Sequence, residues 1–256
     1  MSSRFDEQVE KWCSLSGLVS MVIAFGSQVA LLPWGEQGWV YGHPSFDSPA
    51  AVIARFWADN HAAVMVGTTG FELAWLILIF WSVELALMTW RLDSGVGSRV
   101  LTAAITCASM TIPFLMMVVT AFWTVAGYRA AEIDPAITRA FADLGYISSF
   151  IWFWTALTTM TGTGLLMLRF REGPDRFPTW VGWFSVIAGL TQLPAAAVHF
   201  LYSGTFSLNG LLGWYVPLAG WIVWMIAISP VMYRMIKRRY APAASLDSEL
   251  QPAATT

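Results

Sequence analysis

Charged residues are scarce in this chain, since Asp, Glu, Lys and Arg make up only 12% of its 256 residues. An ordinary soluble domain carries about 25%. With so few charges and 57% apolar residues, the chain cannot cover a soluble surface, and we expect it to contact membrane lipids instead. The formal net charge of −2 provides no basic field of the kind that attracts nucleic acid, so no nucleic-acid partner is predicted.

Cysteine and histidine are also rare. Two cysteines, Cys13 and Cys107, cannot form a disulfide framework. The three histidines lie far apart in sequence, and the chain has no H-x-x-x-H, H-E-x-x-H or C-x-x-C spacing and no glycine-rich phosphate loop. The sequence therefore predicts no metal site and no cofactor.

The chain contains several long apolar runs. A membrane-spanning helix needs about 20 mostly apolar residues, because the hydrocarbon layer is about 30 Å thick. Only helices satisfy the backbone of such continuous runs internally. The predicted fold class is all-α, a polytopic membrane bundle of six transmembrane helices. Their approximate limits are 14–34, 61–90, 100–128, 146–168, 178–202 and 211–236.

The distribution of Lys and Arg predicts the orientation of the bundle. Eleven basic residues fall in the two termini and the second and fourth loops, and three fall on the other side. Cytoplasmic loops carry the excess of Lys and Arg, so both termini are predicted to be cytoplasmic. The larger set is Arg4, Lys11, Arg91, Arg99, Arg169, Arg171, Arg176, Arg234, Lys237, Arg238 and Arg239, and the smaller set is Arg55, Arg129 and Arg139.

The segments between and after the spans give further predictions. Residues 1–239 form a single transmembrane domain, and the tail 240–256, rich in Ala, Pro and Ser, should be disordered. Ser48-Pro49 and Asp134-Pro135 each resemble an N-cap followed by proline at the first helical position, which predicts two short outer helices. Pro194 should interrupt the fifth span about one turn after Leu190.

Glu72 is the most unexpected residue of the spans, since an ionisable group near the middle of a spanning helix costs about 2.5–3.5 kcal/mol. It lies eleven residues after His61, which places it about 16 Å along the helix. At 100° per residue the two share one face to within about 20°. Thr68 and Trp75 belong to the same stripe, which we predict to face the bundle interior.

A second polar stripe runs along the fifth span. Gln192 and His199 are seven residues apart, which corresponds to two α-helical turns on one face. If this face meets that of Glu72, the two stripes form a polar line leading inward from the outer surface. Glu72 is then the candidate catalytic acid or base, and the candidate ligand-binding residues are Gln192, His199, His61, Thr68 and Trp75.

A purely structural role is the alternative for each of these residues. Glu72 could be protonated and tie helices together by hydrogen bonds. His61 follows Asp59 and Asn60 at a span entrance, where capping explains such a group of residues. Glu84 lies near the inner end of its span, where it could reach toward Arg91 or Arg99.

The last two spans carry a family resemblance. Phe177-Pro-Thr-Trp-Val-Gly-Trp-Phe-Ser-Val-Ile-Ala-Gly-Leu190 is followed by Ser207-Leu-Asn-Gly-Leu-Leu-Gly-Trp-Tyr-Val-Pro217. The two segments resemble the final spans of uncharacterised actinobacterial membrane proteins. The resemblance implies a location in a bacterial plasma membrane, and it implies no activity and no site residues.

Three functions are compatible with the sequence. In the first, the protein binds or passes a small lipophilic molecule in an aromatic-lined cavity, with Glu72 and Gln192 as polar contacts. Alternatively, it is an intramembrane isomerase or cyclase that moves a proton on a terpenoid or sterol-like substrate through Glu72. In the third case it is an accessory subunit, as a homo-oligomer or in a membrane complex, and its polar stripes are helix interfaces. The first leads, because the chain offers one deep carboxylate and no second catalytic group.

Overall fold

The computed structural model describes residues 2–31, 44, 48–92, 96–170, 176–201, 204–207 and 210–241. Within these ranges the chain is helical, with no β-strand, and six helices are long and apolar enough to cross a membrane. The predicted all-α fold class is therefore confirmed, and the chain is a multi-pass membrane protein. The predicted disordered tail lies outside the described residues from position 242 onward.

Eight α-helices follow one another in the described ranges. They are α1 (Ser2–Leu31), α2 (Ala50–Asp59), α3 (His61–Leu92), α4 (Val96–Tyr128), α5 (Pro135–Ser149), α6 (Ile151–Arg169), α7 (Thr179–Leu190) and α8 (Val216–Arg239). A 3-10 helix (Leu193–His199) extends α7, and a π-helical turn (Leu211–Tyr215) leads into α8. The six candidate spans are Arg4–Ser27, His61–Leu92, Ser98–Tyr128, Pro135–Arg169, Thr179–His199 and Leu211–Arg239.

The first span begins earlier than expected. Helix α1 starts at Ser2 rather than near Ser14. Within the charged first turns of this helix, Lys11 forms an ion pair with Glu7. This i,i+4 arrangement stabilises helices. Hydropathy alone places the start at the first apolar run and misses this polar extension.

The two helices predicted from a proline at the first helical position both form. Asp134 caps α5 by accepting a hydrogen bond from the Ala136 amide at 2.7 Å, with Pro135 in the first turn, as predicted. At α2 the predicted cap is wrong. Pro49 itself occupies the N-cap position, no side chain caps the helix, and α2 begins one residue later than the Ser48-Pro49 pattern suggests.

The fifth span is broken where proline predicts it. Helix α7 ends at Leu190, and residues Leu193–His199 form a 3-10 helix that contains Pro194. Proline has no amide hydrogen and clashes with the carbonyl four residues before it, so the α-helical hydrogen bonds cannot continue. The tighter winding that follows changes which side chains share a face.

The six spans form a closed ring in sequence order. Helix α1 packs against α3, α3 against α4, α4 against α6, α6 against α7, and α7 against α8, which returns to α1. Helices α2 and α5 pack against each other beside this ring. The beginning of α1 and the ends of α3 and α8 meet at one end of the bundle, where Glu10 contacts Arg91 and Arg239. We call this the basic end.

Aromatic rings fill the centre of the ring. Trp81 stands edge-on to Trp224, with centroids 5.5 Å apart, and Trp221 meets both Trp224 and Trp152 at 5.5 Å. Edge-to-face and tilted pairs at 4.5–7 Å each add about 0.5–1.5 kcal/mol beyond the area that they bury. The aromatic content of the sequence therefore serves the core as well as the membrane interfaces.

Backbones approach most closely between α6 and α7. A Cβ atom added at Gly164 would lie 2.6 Å from the carbonyl oxygen of Gly182 and 2.9 Å from the amide nitrogen of Val186. Both are backbone atoms that cannot move without shifting α7. Small residues permit this kind of close helix packing in membranes, so glycine at position 164 sets the distance between the two helices.

Candidate functional site

An aromatic-lined cavity of about 30 Å³ lies between α1, α3, α6 and α8. It is near the middle of the bundle, because Trp75 is fourteen residues from the start of α3 and seventeen from its end. The wall is apolar and contains no titratable side chain. It consists of Met21, Ala24, Phe25, Phe71, Trp75, Trp152, Leu218, Trp221 and Ile222.

Two unpaired hydrogen-bond donors belong to this wall. Trp75 is 7% exposed and Trp152 is 5% exposed. The indole Nε1 of each is buried and has no hydrogen-bond partner among the described residues. Buried polar groups in proteins are almost always hydrogen-bonded, and leaving one unsatisfied costs about 1–3 kcal/mol. Other buried polar atoms of the described residues also lack a partner, Glu84 Oε1 and Gln192 Oε1 among them, but these two belong to residues of one cavity wall.

Neighbouring tryptophans show how the same fold satisfies an indole. Trp81 Nε1 donates to Ser229 Oγ at 2.9 Å, and Trp224 Nε1 donates to Ser185 Oγ at 2.8 Å. In both pairs a small hydroxyl residue on the facing helix supplies the acceptor. Among the described residues, no such acceptor is paired with the indole of Trp75 or Trp152.

The size of the cavity limits what enters it. A volume of about 10–15 Å³ in this measure already holds one water molecule, so 30 Å³ accommodates a small polar group rather than a whole lipid. Phe25, on the α1 side of the wall, is partly exposed to the surroundings of the bundle. A lipophilic molecule could thus place one end in the cavity and leave its remainder among the lipid chains.

Glu72 does not face this cavity. Its side chain is exposed on the outer surface of α3, in an open groove of about 370 Å³ with Thr69, Leu73, Leu76 and Met117 of α4. The prediction that the Glu72 stripe faces the bundle interior is therefore wrong. His61 is exposed as well.

Helical geometry explains the error. At 100° per residue, Thr68 and Trp75 lie about 40° and 60° around the helix from Glu72. The stripe thus straddles the border between the two faces of α3, with Thr68 and Trp75 on its buried side. A catalytic role for Glu72 stays a prediction, and the aromatic cavity offers it no contact.

Gln192 is buried, but it connects helices rather than facing Glu72. Its side-chain Nε2 donates to the carbonyl oxygen of Pro217 at 2.9 Å, just inside α8, and to Thr191 Oγ1 at 3.1 Å. Gly220 of α8 packs directly against this pair. Helix α7 packs on α6 and α8, whereas α3 packs mainly on α1 and α4, so the predicted meeting of the second and fifth spans does not occur.

The remaining predicted site residues are dispersed. His61 is exposed at the start of α3, where its Nδ1 donates to the carbonyl oxygen of Gly127 at 3.0 Å. Thr68 is buried and donates to the Val64 carbonyl of its own helix at 2.9 Å. His199 is exposed at the end of the 3-10 helix. With about three residues per turn there, Gln192 and His199 do not share the face that an α-helix gives them. Of the six predicted site residues, Trp75 alone lines the aromatic cavity.

A partly buried carboxylate cluster lies at the basic end. Glu10 of α1 accepts two hydrogen bonds from Arg91 of α3, at 2.6 and 3.1 Å, and one from Arg239 of α8 at 3.0 Å. The Tyr240 hydroxyl also donates to Glu10 at 3.3 Å. Partial burial, together with the negative charge of Glu10, raises the pKa of the Tyr240 phenol. Charge-assisted pairs of this kind join three helices at one point.

Glu84 completes this cluster. Its side chain is only 2% exposed, and its Oε1 lies 3.8 Å from Arg91 Nη1, too far for a hydrogen bond. The predicted approach of Glu84 to Arg91 is confirmed. Its depth of burial was not foreseen, since hydropathy cannot tell which face of a long apolar helix is covered. The covering helices α1 and α8 are distant in sequence.

Comparison with family models, with curated proteins and with solved structures gives no match. In the part of the chain that the structure describes, no group of three His, Cys, Asp or Glu residues is placed to hold a metal ion.

Proposed function

We propose that this protein binds one end of a small lipophilic molecule in the aromatic cavity, through a hydrogen-bond acceptor on that molecule. The observation that carries the proposal is the pair of unpaired indole donors of Trp75 and Trp152 in an otherwise apolar wall. Ligand sites are mostly apolar with a few placed polar groups. A carbonyl, ether or hydroxyl oxygen is the kind of acceptor that an indole donor takes.

The same wall favours binding over catalysis. General acid–base catalysis needs a titratable side chain within hydrogen-bond reach of the reacting atom, and none lines the cavity. Glu72 is exposed on the outward side of α3 and does not line the cavity. A proton-transfer enzyme acting on a terpenoid or sterol-like substrate thus receives less support than a binding or transport protein.

The proposed setting is the plasma membrane of a bacterium, with the basic end in the cytoplasm. The excess of Lys and Arg at the termini and in the second and fourth loops supports this orientation. The resemblance of the last two spans to actinobacterial membrane proteins supports the location. A reporter fused after Arg239 should be found in the cytoplasm, and an external reporter would contradict the orientation.

A pair of matched probes tests the proposed site. Decylubiquinone carries carbonyl acceptors, whereas decylbenzene has a similar alkyl chain and none. We expect the purified protein in nanodiscs to bind the quinone, measured by titration calorimetry, and to bind decylbenzene at least about tenfold more weakly, because two hydrogen bonds of about 0.5–1.5 kcal/mol each are missing.

Two variants test whether the quinone binds in the aromatic cavity. Trp75→Phe combined with Trp152→Phe removes both donors and keeps an aromatic wall, so quinone affinity should fall about tenfold. Trp183→Phe, on the exposed face of α7, is the matched control and should bind as the parent protein does. Equal affinity for the two probes, or an unchanged affinity in the double variant, would contradict the proposal.

A further inference from the structure

Another cavity, of about 190 Å³, lies between α1 and α8 near the basic end. It shares no lining residue with the aromatic cavity. One water molecule needs about 10–15 Å³ in this measure, so the cavity has room for a polar group the size of roughly ten water molecules. Its lining residues are Gln8, Lys11, Trp12 and Leu15 of α1 and Tyr233 of α8.

The ammonium group of Lys11 is held at this cavity. Its Nζ lies 5.7 Å from the ring centroid of Tyr233 on the facing helix, within the range of a cation–π contact. It also forms an ion pair with Glu7, whose charge offsets its own. A lysine ammonium has three hydrogen-bond donors, and the contact with Glu7 uses one of them. Lys11 can therefore still donate to an anion in the cavity.

Two further basic side chains extend the cavity toward the basic end. Arg4 is four residues before Gln8, and Lys237 is four residues after Tyr233. Four residues correspond to about 40° around a helix and about 6 Å along it, so each lies one turn beyond a lining residue on the same face. Both are exposed, and neither forms an ion pair among the described residues. The fold thus leaves positive charge unbalanced at the mouth of the cavity.

The carboxylates of the two helices do not cancel this charge. Helices α1 and α8 together carry six Lys or Arg residues and three Asp or Glu residues. Glu10 is bonded to Arg91 and Arg239, and Asp6 lies about 160° around α1 from Arg4. The third carboxylate is the one already paired with a lysine. The cavity therefore favours a negatively charged ligand.

The walls of the cavity continue as apolar surface toward the middle of the bundle. Val19 and Val22 follow the lining face of α1 by helical spacing, and both are exposed. On α8, Ile226 lies two turns before Tyr233 and is also exposed. Trp12, which is largely exposed, stands where the charged turns of α1 give way to its apolar run, a position that tryptophan favours at membrane interfaces. A ligand here meets positive charge at one end and apolar side chains at the other.

We propose that this cavity binds an anionic phospholipid from the leaflet around the basic end. The phosphate lies among Arg4, Lys11 and Lys237, and the acyl chains follow the exposed apolar faces of α1 and α8. Basic pockets between membrane helices bind anionic headgroups in this way. A soluble anion would use only the charged part of this surface, and a zwitterionic lipid would bring a cation next to three basic groups. The inference is independent of the aromatic cavity.

Native mass spectrometry of the purified protein in detergent tests the ligand. Dioleoyl phosphatidylglycerol and dioleoyl phosphatidylcholine have the same acyl chains, and only the first has a net negative charge. We expect the dissociation constant of the first phosphatidylglycerol bound to be at least about tenfold lower than that of phosphatidylcholine. Glycerol 3-phosphate at the same concentration should not displace it, because it has no acyl chains. Equal affinity for the two lipids, or displacement by glycerol 3-phosphate, would overturn the proposal.

Variants matched in charge test the position of the site. Arg4→Gln combined with Lys237→Gln removes two charges at the cavity mouth and should raise the dissociation constant for phosphatidylglycerol about tenfold. Arg234→Gln combined with Arg238→Gln removes two charges from the same end. Because these two lie about 100° and 140° around α8 from Tyr233, this control should bind as the parent protein does. Equal losses in both double variants would indicate a diffuse attraction to the basic end and overturn the site. Circular dichroism verifies that each variant is folded.

Discussion

The two carboxylates of α3 stand twelve residues apart in opposite environments. Glu84 is buried at the basic end, 3.8 Å from Arg91, beside a network that joins α1, α3 and α8. Glu72 lies on the outer face of the same helix, with no cation near it among the described residues. Their insertion costs are similar on a hydropathy scale, yet only Glu84 has its charge balanced within the chain.

The buried indole groups also differ in whether they have a partner within the chain. Toward the basic end, Trp81 and Trp224 donate to serine hydroxyls, whereas Trp75 and Trp152 have no partner in the described part of the chain. The indoles of Trp81 and Trp224 thus contribute hydrogen bonds to the fold, and those of Trp75 and Trp152 do not. This difference predicts which substitutions affect stability and which affect binding.

Arg91→Ala should have the largest effect on stability. It leaves Glu10 and Glu84 together at a buried site with one cation fewer, and breaking buried pairs costs about 3–5 kcal/mol. Because Arg91 is itself 33% exposed, we expect a loss of about 2–3 kcal/mol in the free energy of unfolding. Titration with SDS in mixed micelles, followed by circular dichroism, measures it.

A surface arginine and a compensating change serve as controls for that loss. Arg129→Ala removes an exposed ion pair with Glu132 at the opposite end of the bundle and should change stability by less than about 0.5 kcal/mol. Adding Glu84→Gln to Arg91→Ala should recover part of the loss. If the double variant is no more stable than Arg91→Ala, the charge of Glu84 is not what Arg91 balances.

Trp81→Phe and Trp75→Phe should differ by about 1 kcal/mol. The two changes remove the same atoms from buried sites, but only Trp81→Phe breaks a hydrogen bond and leaves the Ser229 hydroxyl without its donor. The net value of such a bond is about 0.5–1.5 kcal/mol. The difference between the two free energies of unfolding, measured without added ligand, isolates that bond. Equal losses would mean that the Trp75 indole has a partner.

The sequence predicts the bundle well because its signals are local. Six apolar runs, the Asp134-Pro135 cap and the break at Pro194 each depend on neighbouring residues, and the structure has all of them. The candidate site was predicted less well, because the side of a helix that faces the bundle interior depends on helices that are distant in sequence. Thr68, Glu72 and Trp75 form one continuous stripe in sequence, and only the packing of α1 and α4 decides where its border lies.

The fifth span shows a second reason why the candidate site was predicted less well. Placing Gln192 and His199 on one face assumes 3.6 residues per turn, but Pro194 winds the chain more tightly from Leu193 onward. Pro194 therefore correctly predicts the break in the helix, but the break makes the predicted shared face of Gln192 and His199 wrong. A signal that could have identified Trp152 was also absent, since its importance depends on the lack of an acceptor on α1, α3 and α8.

Glu72→Leu should have the smallest effect on the stability of the monomer. Among the described residues, Glu72 makes no hydrogen bond or ion pair that the substitution could remove. Leucine is of similar size, favours helix and suits a lipid-facing position. We expect the free energy of unfolding to change by less than about 0.5 kcal/mol. Glu84→Leu, in contrast, removes a carboxylate from beside Arg91 and should cost about 1 kcal/mol. The two variants compared in one SDS titration distinguish a carboxylate that is part of the fold from one that is exposed on the bundle surface. A loss above about 1 kcal/mol for Glu72→Leu would show that Glu72 is bonded within its own chain.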